Sequence, residues 1–342
     1  MKLIESGVEL LKQEPGMSGI NKMIELAGRT CYKSEANITK NSAEEFVKRM
    51  LNSRHMTMLE HGTIYLAIPI TTNHAGFSEN RYRNNPYSKF KVSQGLCMRD
   101  EYGDECDCWC ITTNLRVLEE NDWLDDLDYL CEPTEFHERR ITLKFTTDRG
   151  VSHELVRHRV FSFAQESTRY CNYSKDKFGN ELTFIIPSCL DIPEGLAYWH
   201  DGICFRVGAS DENPMGISVM PDNFNDAEAI SCYLHSLDFC NRAYMRLLKA
   251  WENKKEDKRF RTGFKNNPLT PQQARAVLPN ALKTEIVMTG FASDWRHFFD
   301  LRLLEKTGNV HPDMLDLSKK AKQALADANL WTYVMSQPSK FD

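Results

Sequence analysis

Between Ile141 and Tyr170 the chain sets a strand, a short helix and a cation-rich loop in direct succession, and little freedom remains for what surrounds them. Ile141 to Thr146 reads as a strong strand that feeds the helix. On the helix predicted from Val151 to Arg159, Val151 and Leu155 share one face while Arg149, His153 and Arg157 descend another. An apolar stripe therefore anchors a polar one. The chain then leaves the helix as Arg157-His158-Arg159 and, seven residues later, reaches Ser167-Thr168-Arg169-Tyr170. Arginine offers a planar fork of donors to phosphates and acidic heterocycles where lysine offers a point charge, so this run suits the holding of anions.

Composition narrows the partners. The 342 residues allow one large or two ordinary domains, and 41% hydrophobic residues can supply a core. A net charge of -5 gives no general attraction to nucleic acid or an anionic membrane, so neither is expected as a partner and phosphate recognition must be local. No segment approaches the ~20 apolar residues of a membrane helix, and the N-terminus lacks the form of a signal peptide. A cytoplasmic location is expected. Eleven scattered cysteines suit reduced thiols. Cys106, Cys108 and Cys110 alternate as on one strand face, and neither they nor His55, His61, His153 and His158 have the spacing of a zinc site, so no metal is expected.

Along the rest of the chain, helices are predicted from Ser18 to Gly28 and Ser42 to Leu51, and a strand from Thr63 to Ile70. Tyr87 to Val92 and Trp109 to Thr113 read as paired strands extending the same sheet, followed by an acidic helix from Leu115 to Leu130. A long helix is predicted from Asn225 to Trp251. Thr270 caps a helix with Pro271 first and Gln273 third, stopping near Pro279. Thr284 to Thr289 is a strand, Gly290 to Ser293 a turn, and Asp294 to Leu304 the last core helix. On it Trp295, Phe298, Phe299 and Arg302 share a face. From spacing alone, a functional Arg302 and one that stacks on aromatics and reaches to water are equally good readings.

Arg157-His158-Arg159, seven residues, then Ser167 resembles the signature of the flavin-dependent thymidylate synthases. Ala27 to Ser34, His55 to His61, and Arg275 to Pro279 with Thr284, Thr289, His297 and Leu301-Arg302 are also similar to that family. The likeness runs from about residue 20 to 70 and 141 to 330, leaving about 71–140 and 195–222 as insertions. It implies an α+β fold, one domain over 1–342 with a mixed or antiparallel sheet flanked by helices. It also implies conversion of dUMP to dTMP with FAD, 5,10-methylenetetrahydrofolate as carbon donor and NADPH as reductant, in a homotetramer with shared active sites. No Gly-x-Gly-x-x-Gly occurs, which fits a flavin held by Arg and His.

By the same resemblance Glu154, Arg157, Gln165, Glu166, Ser167, Thr168, Arg169, Arg275 and Arg302 are expected at the nucleotide. His55, Thr57, Glu60, Arg157, His158, Arg159, Gln165, Phe291, Ser293 and His297 are expected at the flavin. Arg302 and Ser167 are the catalytic candidates, Arg302 favouring ionisation of the pyrimidine. Ser167 is read as a ligand of dUMP, since no Ser-His-Asp arrangement would activate it. The chain departs from the family pattern in three places. Glu154 stands where Gln is common, Phe291 and Ser293 replace Asn and Arg, and Lys306 to Pro312 differs from the usual ending. Two alternatives stay open: a related flavin-dependent (hydroxy)methyltransferase that transfers a hydroxymethyl group or acts on another pyrimidine nucleotide, and a nucleotide- or RNA-binding relic without catalysis.

Overall fold

Arg140–Asp148 (β8) buries alternate residues along much of its length and pairs antiparallel with Lys283–Phe291 (β14) through nine consecutive partners, Lys283 opposite Asp148 and Phe291 opposite Arg140. This ladder is the centre of a four-stranded antiparallel sheet. Gly7–Leu11 (β2) flanks β8, and Ser162–Gln165 (β9) flanks β14. The computed structural model describes residues 1–70, 81–93, 98–99, 105–175, 181–200, 204–210, 213, 215–219, 226–254 and 270–341.

Two further sheets carry the regions outside the resemblance. Thr63–Pro69 (β3) pairs with Cys108–Asn114 (β7), and β7 with Lys89–Val92 (β4), in a three-stranded antiparallel sheet, so the predicted strand pairing is observed. A five-stranded mixed sheet joins Lys2–Ile4 (β1), parallel to Thr183–Ile185 (β10), with antiparallel Gly195–His200 (β11), Cys204–Ala209 (β12) and Ile217–Val219 (β13). The two-residue strands Met98–Arg99 (β5) and Glu105–Cys106 (β6) pair apart from these. Helices with mixed and antiparallel sheets make an α+β chain. Among the described residues, no helix is long and apolar enough to cross a membrane.

Helices Gly16–Tyr32 (α1) and Ser42–Asn52 (α2) stand near their predicted places. The predicted 115–130 helix breaks: Leu115–Asn121 (α3) stops at Asp122, whose φ of 59° is left-handed, and Leu124–Tyr129 continues as 3-10 turns. Asp tolerates that conformation better than most side chains. Arg149–Leu155 (α4) is shorter than predicted. Its last turn tightens, with Arg157, His158 and Phe161 donating to Glu154, Leu155 and His158 carbonyls three residues back. Asp226–Lys254 (α5) is the long helix, and its predicted first residue, Asn225, lies outside the described residues. Pro271–Ala274 (α6) carries the predicted capping box and gives way to 3-10 turns over Arg275–Val277.

No turn separates β14 from the next helix: Phe291 ends the strand and caps Ala292–Arg302 (α7) directly. Nor is that helix the last in the core. Pro312–Asp327 (α8) and Trp331–Met335 (α9) follow, and Met314, Leu317, Ala321 and Leu325 are buried with Trp295, Phe298 and Phe299 against one face of the central sheet.

Gly290 sits where this core is tightest. A Cβ there would lie 2.3 Å from Cδ1 of Phe161, whose ring packs edge-on to Trp295 at 4.7 Å. Gly290→Ala is expected to lower stability by about 1–3 kcal/mol through overpacking. Gly7→Ala, with nothing within 4 Å of the new Cβ, should stay within about 0.5 kcal/mol. Urea unfolding midpoints for the two variants check the contrast.

Candidate active site

The antiparallel ladder sends α4 and α7 out from opposite ends, and they meet. α4 leaves β8 beside Lys283 with Asp148 as its cap, the carboxylate accepting from the Val151 N–H at 2.8 Å. α7 leaves the far end of β14, and its 11 residues run about 16 Å at the rise of an α-helix. Trp295, Phe298 and Phe299 are fully buried on this helix, with Phe145 of β8 stacked on Trp295. Arg302 ends the stripe. Its Nη1 donates to Oε2 of Glu154 at 2.8 Å and its Nε to Nε2 of His158 at 3.1 Å. The Nη2 has no partner among the described residues.

That geometry fixes the state of His158. Accepting from Arg302 requires a bare Nε2, so the ring is neutral with its proton on Nδ1. Burial, and after it the charges of Arg302 and His297, hold its pKa at about 4. The imidazole rests on the Phe298 ring, 5.1 Å between centroids. Glu154, which as a lone carboxylate would repel a phosphate, is paired.

The loop after β9 is pinned by main-chain bonds. The Glu166 N–H donates to the Glu285 carbonyl at 2.8 Å and the Ser167 N–H to the Cys31 carbonyl at 3.0 Å. Gln165 Nε2 reaches Ser152 Oγ at 2.9 Å and Thr284 Oγ1 at 3.3 Å. Arg275 donates to Thr168 Oγ1 at 3.2 Å. The Arg169 guanidinium lies 5.6 Å over Tyr170, which contacts Tyr32, whose hydroxyl bonds His55 Nδ1 at 2.7 Å. Cys31 and Tyr32 belong to α1, so the N-terminal stretch and the cation-rich loop share one surface.

Glu166 departs from expectation. Only 2% exposed, it accepts from the Tyr173 hydroxyl at 2.9 Å and pairs with Lys283 at 2.9 Å, leaving its side chain no face toward a nucleotide. Lys283 also meets Glu285 at 2.7 Å, and Glu285 meets Lys33 at 2.7 Å. Burial alone would raise the Glu285 pKa, yet the two lysines hold it at about 2. Lys33, Lys283, Glu285 and Tyr173 were not singled out in the sequence. The signal was there in part, since Lys283 and Glu285 are opposite charges two apart and so share one strand face.

Other expected residues lie apart. Phe291 is buried beneath Arg140 and Lys89, and the Ser293 N–H bonds Glu138. Glu60 pairs with Arg116. Glu285 and Phe291 stand six residues apart on β14, about 20 Å at the rise of an extended strand. One small ligand cannot touch both ends within one chain. Thr57 is exposed, as are Arg157 and Arg159, whose guanidinia make no ion pair among the described residues. His297 stacks on Phe341 with its Nδ1 buried and unpartnered. Cavities of about 330 and 340 Å³ open, respectively, beside Glu154 and Gly150 and, away from this site, under the end of β2 at Tyr65 and Arg140.

Residues 111–321 match the family described as Thymidylate synthase complementing protein. The flavin-dependent thymidylate synthase of Corynebacterium diphtheriae is 29% identical over 157 residues, 46% of either chain. That of Mycolicibacterium gilvum is 33% identical over 157 residues, again 46% of either chain. The chain spans about half the length of the curated relatives it matches. A crystal structure of a UMP/dUMP methylase PolB from Streptomyces cacaoi bound with 5-Br dUMP aligns over 98% of this chain and 97% of its own, at a TM-score of 0.40 and 14% identity. That likeness is too slight to argue from.

The neutral His158 has a consequence for stability. An unfolded histidine takes a proton near 6.5, the folded one only near 4, so stability is full above 6.5 and falls as pH drops through that window. His61, held at about 3 chiefly by burial, acts in the same direction. His158→Gln, which keeps an acceptor for Arg302, is expected to flatten part of the fall in urea midpoint between pH 6.5 and 4. An unchanged slope would contradict the assignment of the neutral ring.

Proposed function

Because the chain belongs to the thymidylate synthase complementing protein family, we propose that it is a flavin-dependent thymidylate synthase converting dUMP to dTMP. FAD is its cofactor, 5,10-methylenetetrahydrofolate the carbon donor and NADPH the reductant. The observation that carries this reading is the Arg302 guanidinium at the end of an aromatic wall, with Nε and Nη1 held by His158 and Glu154 and Nη2 without a partner among the described residues, together with the Ser167–Arg169 loop that main-chain bonds pin. A donor fixed in advance stabilises charge where it develops without reorganising during reaction. Arg302 stabilises negative charge on the uracil ring. Ser167, Thr168, Arg169 and Arg275 hold the nucleotide, with Gln165 and the Glu166 network keeping the loop in place.

Exposed Arg157 and Arg159, without counter-ions among the described residues, and the orphaned Nδ1 of His297, fit a flavin dinucleotide, whose pyrophosphate needs cations and whose ring needs donors. His55, Thr57 and His158 complete the set proposed to hold it. FAD, once reduced by NADPH, would supply the hydride that reduces the transferred carbon. We read the chain as one catalytic domain, extended by residues 71–140 and 195–222 and working as a homotetramer. The roughly 20 Å between the two ends of β14 supports sites shared between subunits, with Glu60 and Ser293 serving a neighbour's site.

Two measurements test the reading. Added FAD should bind, seen as quenched flavin fluorescence, and its absorbance near 450 nm, roughly where oxidised flavins absorb, should bleach anaerobically with NADPH. Arg302→Ala should then keep its melting temperature and flavin while dTMP formation drops on the order of 10²- to 10³-fold. Near-parental turnover in that variant would remove Arg302 from the reaction.

A further inference from the structure

Glu154 stands where a nucleotide-touching Gln is common in the resembled family, and the structure gives this carboxylate a different partner. We infer that Glu154 is a positioning residue for Arg302, setting the orientation and the net charge of the guanidinium that meets the pyrimidine without touching the nucleotide itself. The inference rests on the reading of Arg302 as the pyrimidine-facing donor.

Arg302 needs such a device. It is the last residue of α7, followed by Leu303 at the helix cap, and an arginine side chain surrenders considerable rotamer entropy when held still. Two bonds hold it, to Glu154 and to His158. His158 is fixed in turn, resting on Phe298 and edge-on to Phe161. With Nη1 and Nε committed, the plane of the guanidinium is set and Nη2 is left without a partner among the described residues. Glu154 and His158 are four residues apart, spanning the end of α4, so one short segment supplies both contacts.

Charge follows from the same contact. Side-chain exposures of 21% for Arg302 and 28% for Glu154 leave the pair partly screened. It still replaces a lone cation by a nearly neutral couple. A Gln would keep the acceptor oxygen and remove the opposing charge, leaving Arg302 oriented and fully cationic. A carboxylate that touched the nucleotide directly would predict the opposite, because Gln would then exchange a strong acceptor for a weak one.

The experiment is equilibrium dialysis of radiolabelled dUMP against the flavin-loaded protein, for the parent, Glu154→Gln, Arg302→Ala and the double variant. The Arg302→Ala forms are measured at higher protein concentration. Melting temperature and flavin content are recorded for each. Glu154→Gln is expected to tighten dUMP binding about two- to fivefold and to have no effect in the Arg302→Ala background, which is the coupling a double-mutant cycle reads. Unchanged or weaker binding in Glu154→Gln, or an equal effect with Arg302 absent, overturns the inference alone. A parent that binds flavin and no dUMP overturns the nucleotide reading beneath it.

Discussion

The nine-pair ladder between β8 and β14 is the constraint on which the site depends. Because the two strands are antiparallel, the helices that follow them start at opposite ends of the sheet and must approach each other. α7 carries its aromatic residues down the face it crosses and ends with Arg302 against Glu154 and His158. Had the strands been parallel, both helices would leave the same edge, and Arg302 would lie at the end remote from the cation-rich loop. The register also separates the Glu285 end from the Phe291 end, which is why one chain presents its expected ligands on two surfaces.

A second interaction holds the loop to that frame. Tyr173, Glu166, Lys283, Glu285 and Lys33 form a continuous chain of polar contacts, buried at Tyr173 and Glu166 and half-buried at the rest. Removing ions from water is costly, and such chains seldom add much to stability. Their effect here is geometric. Glu166 cannot move without losing both Tyr173 and Lys283, so the Ser167 main chain stays against the Cys31 carbonyl, and α1, β9 and β14 meet at one point. Beneath the neighbouring strands His61 bonds Thr289 Oγ1 at 2.8 Å, which meets Thr142 at 2.9 Å, so a neutral imidazole ties β8 and β14 to the 3-10 segment Met56–His61.

Much of this was legible in the residues. Ile141 to Thr146 alternated as a strand should, Thr270-Pro271 announced a capped helix, and Trp295, Phe298, Phe299 and Arg302 fell on one face because helical periodicity is local. What escaped were pairings between distant segments. Glu166 looked like a ligand because its neighbours did, and its partners Tyr173 and Lys283 lie 7 and 117 residues away. The β1 strand was too short to stand out, and its parallel partner β10 lies far along the chain. α4 ended early because the segment after Leu155 turns to seat His158 on Phe298, a tertiary contact that outweighs the local pattern. Glu154 was flagged by its charge in the wrong place, and its partner Arg302 is 148 residues on.

In the proposed function a preset guanidinium activates a pyrimidine nucleotide for transfer of a carbon unit. The most direct test is tritium release from dUMP labelled at C5, with the protein given FAD, NADPH and 5,10-methylenetetrahydrofolate, and dTMP measured in the same samples. Release is expected to depend on all three additions and to match dTMP formed mole for mole. A folded, flavin-bound, dUMP-saturated protein that releases no tritium and forms no dTMP would contradict it.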